Sequence, residues 1–340
     1  MPELAEVEHS RRQWDPGIGQ PIIEVHIARP EIRVFRDTNT AVLTERLPGQ
    51  RLLGSEAKGK QMLFHFSDDL WLGIHLGMSG ELRREDGPEE APRKHDHLIL
   101  RQAGCALVFE DKRHFGRVRL HQGAEAPTWW TKLPASVLSD EFTSEATARF
   151  LARRARTPIK GVLLMQEHFL GVGNWMADEI LWRANVHPAI PAGGLNPAAA
   201  QSLWEQTRWV SSTAMRIISD DWTYPPDWLF SHRWEAGGEC PRCHAKLDRA
   251  TIGGRTTCWC PVCQPAPRRL KLPGEGDAPA KRAVGKRGVP KATASSVVEK
   301  AKKLLNRPSK SAKKEAQLLK SRSRKATTPK TTKVASKASK

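Results

Sequence analysis

Four of the six cysteines form two pairs, Cys240-Pro-Arg-Cys243 and Cys260-Pro-Val-Cys263, with sixteen residues between them. Each pair offers two thiolates from one tight turn, and two such turns complete a tetrahedron. Four thiolates with no open position are the donor set of a structural zinc ion. The pattern belongs to a reducing compartment rather than to a disulfide framework. Cys258 lies between the pairs, but one tetrahedral ion needs only four ligands, so it reads as a small hairpin residue. Cys105, in an apolar run, reads as core. Arg255 sits in the hairpin GGRTTCWCPVCQ. There it is either a solvated surface residue or a bidentate phosphate ligand on a rigid tip.

The other end of the chain carries a different chemistry. In PELAEVE, Pro2 follows Met1 directly. Proline is small enough to allow removal of the methionine, which leaves a secondary amine at the new terminus. Such an amine can attack an electrophilic carbon and form an iminium ion. Glu3 beside it is a natural general acid, and Glu6 a second carboxylate for positioning or proton transfer. Taken alone, the same residues also read as an ordinary acidic N-terminus. His95 and His97 (KHDH) read as a hydrogen-bonded structural pair, because no further metal ligands accompany them.

These residues must be held by elements, and the chain divides by its periodicity. To about Gln122 it reads as mostly strand: QMLFHF, LWLGIHLGM, HLILR and CALVFE are short apolar or alternating runs broken by turns. Several short strands suggest a β-sandwich. HSRRQWD reads as a brief helix after the acidic start. Beyond Pro127, SEATARFLARRART, IKGVLLMQEHF, NWMADEILWRANV and PAAAQSLWEQTRWVSSTAMRIIS have helical spacing, separated by Pro or Gly. A short turn, FLGVG, joins the middle two, and Asn174 is expected as the N-cap of the second, with backbone N–H groups pointing outward toward a phosphate. Trp175, Trp182, Trp204 and Trp209 read as residues that pack helices rather than stack on bases. The connector DDWTYPPDWLFSHRW reads as stiff and aromatic. The expected organisation is α+β and multidomain: residues 1–125 a β-sandwich, 126–235 helical, 236–267 a zinc finger and 268–340 a basic tail.

Charge is unevenly placed. Of the formal net charge of +18, residues from Arg268 onward carry 23 Lys and Arg against 4 Asp and Glu, so the remainder is close to neutral. The tail suits a polyanion, since each Lys or Arg that neutralises a phosphate releases a counterion. Its composition cannot bury enough apolar surface to offset the entropy of ordering, and it reads as disordered. No apolar run approaches the ~20 residues of a membrane-spanning helix. The N-terminus lacks an apolar signal core. The expected location is cytoplasmic, with nucleoid association in a bacterium, and the chain is expected to act as a monomer.

Four separated blocks, in order, resemble the formamidopyrimidine-DNA glycosylase family over about 2–264. PELAEVE resembles its N-terminal signature, with Ala5 where proline is usual. AKGKQML with HLGMSG resembles its lysine loop and the neighbouring strand. IKGVLLMQEHFLGVGNWMADEILW resembles its helix–two-turn–helix, and the cysteine hairpin its zinc finger, with Leu247 and Trp259 in place of more usual residues. The resemblance implies a bifunctional glycosylase and abasic-site lyase, with a sandwich and a helical–zinc half clamping double-stranded DNA. It implies Pro2 as the nucleophile at C1′ of a damaged nucleotide, Glu3 as the acid at the sugar ring oxygen, and Lys60 as a contact to phosphate near the lesion. Met78, Arg113 and Phe115 map to residues that fill the hole left by the flipped nucleotide. Without the resemblance Met78 and Phe115 would read as core. Asn174 and Arg255 map to phosphate contacts. Lys112 and His114 stand where the family has proline and a second arginine. Oxidised purines, formamidopyrimidines included, are the expected substrates, although the aromatic connector is unlike the loop that covers a flipped purine. Other readings are an oxidised-pyrimidine glycosylase, a non-catalytic chromatin-like DNA-binding protein on the same scaffold, and an RNA-binding zinc-ribbon protein. The last leaves the N-terminal block unexplained.

Overall fold

The computed structural model describes residues 1–87, 91–220 and 223–266. The basic tail expected from Arg268 onward lies outside them.

Helix α1 spans Leu4–Arg12. The helix expected only at HSRRQWD therefore begins five residues earlier and takes in the acidic segment. A reciprocal capping box starts it: the Glu3 side chain accepts from the third-residue N–H, and Glu6 accepts from the Glu3 N–H. Strand β1 (Glu24–Ile27), helix α2 (Thr40–Arg46) and strands β2 (Leu52–Lys58), β3 (Gln61–Phe66), β4 (Leu70–His75), β5 (Gly80–Asp86), β6 (Asp96–Arg101), β7 (Cys105–Asp111) and β8 (Arg117–Gln122) follow. They form two four-stranded antiparallel sheets, ordered β1-β6-β7-β5 and β2-β3-β4-β8. Alternation explains the layering. Met62, Phe64, Leu72 and Ile74 from one sheet meet Leu98, Leu100, Leu107 and Phe109 from the other in a single apolar core. Cys105 belongs to that core, as expected.

The helical part comprises α3 (Thr128–Thr131), α4 (Ser144–Arg153), α5 (Ile159–Leu163), α6 (Asn174–Arg183) and α7 (Pro197–Asp220). Of IKGVLLMQEHF only the first five residues are α-helical. Strands β9 (Asp248–Ile252) and β10 (Arg255–Trp259) make the hairpin between the cysteine pairs. Helix α1 joins the two halves. Leu4 and Ala5 are buried in the helical core, while Val7 belongs to the sandwich core. Two adjacent faces of one nine-residue helix thus tie the N-terminus to both. Trp175 and Trp182 are buried as expected, whereas Trp209 is 42% exposed, carrying the Arg183 guanidinium 4.1 Å above its ring. Tyr224 and Trp228 of the connector are buried against Trp175.

Candidate active site and DNA-facing elements

The N-terminus is fixed by a partner more than 170 residues away. The Glu3 carboxylate accepts from the Trp175 N–H (3.0 Å) and the Met176 N–H (3.1 Å), in the first turn of α6. Leu4 N–H donates to the Gly171 carbonyl (3.1 Å). No other residue suits position 173, because a Cβ there would lie 2.2 Å from Glu3 Cδ. Asn174 is consequently not the N-cap. Gly173 occupies that position without a side-chain bond, and Asn174 is the first helical residue. Nor do the N–H groups of Trp175 and Met176 face outward for a phosphate; Glu3 has taken them, and the helix dipole favours its negative charge.

Lys60 reaches the same turn. It follows Gly59, whose φ of +59° needs glycine and whose Cβ would strike Leu170, and its Nζ donates to the Val172 carbonyl (2.9 Å). Glu6 Oε1 accepts from Trp175 Nε1 (2.9 Å). Gln166, which the sequence did not single out, completes the turn by accepting from Gly171 N–H and donating to the Val172 carbonyl. Burial raises the Glu3 pKa against the opposing pull of Lys60 and the two N–H groups. Burial, then the neighbouring Glu3, pushes Glu6 up to about 7. Burial lowers Lys60, opposed by both carboxylates. Two carboxylates with pKa values lifted toward neutrality can hold and pass a proton beside the N-terminus. Pro2 lies half-buried next to them.

The hole-filling candidates are placed quite differently. Met78 is 40% and Phe115 43% exposed, so neither is core. Their loops touch: a Cβ on Gly77 (φ +64°) would lie 2.3 Å from the Phe115 backbone. Asp111 holds both loops, accepting from Ser79 Oγ, Arg113 N–H and Gly116 N–H. His97 is buried with Nε2 2.7 Å from the Asp111 carbonyl oxygen, a structural role as expected, though it does not bond His95. Arg113 is exposed, its guanidinium 5.1 Å from the Phe115 ring. His114 takes a left-handed φ of +56°, and its Nε2 lies 3.0 Å from an Arg29 nitrogen.

The cysteine hairpin lies along α6. Asn174 Nδ2 donates to the Thr256 carbonyl (2.8 Å), and Asp178 Oδ2 accepts from Cys258 N–H (3.1 Å). Asp178 is also bonded by Lys160 Nζ (2.5 Å) and by Arg233 (2.5 Å), all three side chains being buried. This triad registers the exposed Arg255 beside the α5–α6 turn. Cys258 is buried and serves through its backbone.

The Sγ atoms of Cys240, Cys243, Cys260 and Cys263 all lie within 4.8 Å of one another. Contacts of 3.9, 3.4 and 3.5 Å link them, against about 3.8 Å between thiolates around a tetrahedral zinc ion. Trp182 Nε1–H and Cys263 N–H point at Cys240 and Cys260 sulfurs. Such donors suit thiolates, so the set fits a metal ion.

A two-sheet sandwich, a helix–two-turn–helix and a four-cysteine hairpin meeting around a buried N-terminal carboxylate define a class of DNA glycosylase. Comparison with known proteins agrees. Residues 1–118 match the family model of the formamidopyrimidine-DNA glycosylase N-terminal domain, and 133–221 that of the corresponding H2TH domain. Curated formamidopyrimidine-DNA glycosylases of Thermus thermophilus (35% identity) and Exiguobacterium sibiricum (33%) align over 78% of this chain and 98% and 99% of their own lengths. The crystal structure of the Lactococcus lactis enzyme bound non-covalently to DNA containing an AP site superimposes with a TM-score of 0.69 at 29% identity. It covers 78% of this chain and 100% of that one. The chain belongs to the formamidopyrimidine-DNA glycosylase family and is a base-excision repair enzyme.

Proposed function

We propose that, after removal of Met1, the Pro2 nitrogen attacks C1′ of a damaged nucleotide in double-stranded DNA. The C1′–N bond to the base breaks, its electron pair leaving with the base, and the proline nitrogen becomes an iminium. A proline nitrogen bonded to C1′ keeps no hydrogen, so the iminium stays charged and acidifies the C2′ proton. Loss of that proton expels the 3′ phosphate, and a second elimination expels the 5′ phosphate. Glu3 supplies the proton to the sugar ring oxygen as the ring opens, Glu6 tunes and positions it, and Lys60 holds a phosphate near the lesion. Met78, Arg113 and Phe115 fill the space of the flipped nucleotide; Asn174 and Arg255 contact phosphates. The observation that carries this reading is the convergence of Glu3, Glu6 and Lys60 on one turn beside the N-terminus. Borohydride should trap the protein covalently on abasic duplex DNA, and Pro2→Gly should abolish the trap. An undiminished trap in Pro2→Gly, or active protein that retains Met1 by mass spectrometry, defeats the reading.

Cys240, Cys243, Cys260 and Cys263 would hold one structural zinc ion, which supplies no chemistry beyond fixing the hairpin that carries Arg255. The domain bounds 1–125, 126–235, 236–267 and 268–340 follow the same division of labour. Oxidised purines, formamidopyrimidines first, are the proposed substrates. The related L. lactis protein has been solved with Fapy-dG DNA and with oxidised-pyrimidine DNA, so release rates over a panel of both base classes decide the preference. A cytoplasmic or nucleoid location and action as a monomer are part of the same proposal; among the described residues no helix is long and apolar enough to cross a membrane.

A further inference from the structure

Between the end of α5 and the start of α6 the backbone runs outside the regular helices, so its N–H and C=O groups need partners of another kind. Gly171 and Val172 show how they are found. The Gly171 carbonyl accepts from Leu4 N–H (3.1 Å), and the Val172 N–H donates to the Phe169 carbonyl (3.1 Å). The two groups left over both go to Gln166. Its Oε1 accepts from Gly171 N–H (3.1 Å), and its Nε2 donates to the Val172 carbonyl (2.9 Å). The same Nε2 also donates to the carbonyl of Leu164 (3.0 Å), the residue that closes α5. One side-chain amide thus commits its acceptor and both donors to three backbone groups. It can do so in one orientation only, because turning it over would set its NH2 group against the Gly171 N–H.

The Val172 carbonyl has a second donor in Lys60 Nζ (2.9 Å), and among the described residues this is the one hydrogen bond that Nζ makes. An ammonium on a flexible four-carbon stem takes many positions unless something fixes it. It carries three N–H donors, of which the carbonyl uses one. The direction of that carbonyl therefore decides where the other two point. The lysine's backbone is pressed against the same turn, since a Cβ on Gly59 would lie 2.5 Å from Leu170 and 3.0 Å from Gly171 N. Gly171, with a φ of +93°, is packed in turn between Leu4 and Gly59. These contacts hold the turn in place. What they leave to Gln166 is the aim of the next carbonyl along.

We propose that Gln166 is a positioning residue for Lys60: by fixing the Val172 carbonyl, its amide aims the ammonium at the phosphate beside the lesion. Gln166 itself touches neither the DNA nor the reacting atoms. The inference rests on the reading in which Lys60 makes that phosphate contact. Its consequence is specific. Without the amide, Gly171 N–H loses its partner and the Val172 carbonyl keeps only the lysine, so the mobile side chain has to hold the backbone group that was holding it.

The test uses the full chain and an uncleavable duplex carrying a tetrahydrofuran abasic analogue, and it reads the slope of log K against log salt. A lysine that gives up its one phosphate takes about 1 off that slope. Gln166→Met keeps the length of the side chain and removes its three hydrogen bonds. It should flatten the slope by about 1, as Lys60→Met should. The double variant Gln166→Met/Lys60→Met should be no flatter than either single one, because both changes remove the same contact. Loss of folded protein cannot imitate this pattern, since it lowers the fraction that binds and leaves the remainder at the wild-type slope. A wild-type slope in Gln166→Met, or a double variant flatter by about 2, overturns the proposal. A wild-type slope in Lys60→Met is a different failure: the assignment of Lys60 to a phosphate falls, and the role of Gln166 with it.

Discussion

Two regions meet the same nucleotide in the proposed reaction and are built on opposite principles. Around Glu3 the side chains are buried or half-buried and held by partners: two α6 N–H groups, a capping box, the Trp175 indole and the Val172 carbonyl. Around Met78, Arg113 and Phe115 the side chains are exposed, and only the backbone beneath them is pinned, by Asp111. Chemistry needs charges whose positions do not relax as the reaction proceeds. Wedging into a base stack needs apolar surface that is uncovered until DNA arrives. The molecule spends its hydrogen bonds on the first task and its exposed hydrophobics on the second.

Substitutions should split along this line. The largest effect belongs to Glu3→Gln, which keeps the shape and removes the charge. Single-turnover base release should slow by roughly 10²- to 10⁴-fold, the usual range for a lost general acid; a loss under threefold would mean the buried carboxylate is only a helix cap. Next comes Asp178→Asn, which leaves Lys160 and Arg233 buried without their counter-charge and should cost about 3–5 kcal/mol in urea unfolding. A cost near zero would show that the hairpin is held to α6 by the metal site alone. Smaller again is the double change Met78→Ala/Phe115→Ala. Because both side chains are exposed, stability should stay within about 0.5 kcal/mol, whereas excision of a paired lesion should slow about 10- to 100-fold, reflecting the few kcal/mol that flipping costs. Equal slowing on a single-stranded abasic substrate would contradict the wedge assignment.

The smallest effect is in pH. Glu6 and Glu179 are each pushed up to about 7, chiefly by burial. A carboxyl with a raised folded pKa contributes stability that is complete below its ordinary value of 4.5 and is lost as pH rises through 7. Thermal stability should therefore decline from pH 5 to 8, and Glu6→Gln should make that decline shallower. An identical profile in the variant would show that Glu6 does not titrate in this window.

Much of this was legible in the chain because it is written locally. Cysteine spacing marked the metal donors, strand alternation marked the sandwich, and four motif blocks marked the family. What escaped were pairings over long separations. Asn174 looked like an N-cap because Asn commonly is one, yet a carboxylate from position 3 does the capping, and no periodicity encodes a contact across 172 residues. Met78 and Phe115 sit in apolar surroundings that read as core, but turns at Gly77 and His114 with positive φ swing them outward. The triad at Asp178 depends on contacts between elements that fold from distant segments. Charged residues scattered as Lys160, Asp178 and Arg233 carry no joint signature in one dimension.

The capping of α6 by Glu3 has a consequence for the newly made chain. Synthesis proceeds from the N-terminus, and the sandwich strands are complete by Gln122, but the N–H groups that fix the acid belong to Trp175 and Met176. An unfinished polypeptide can thus assemble its β layers while Glu3, the proposed acid, is still unanchored. If Glu3 is the acid as proposed, the nascent chain would stay disarmed until the helix that docks on it has left the ribosome.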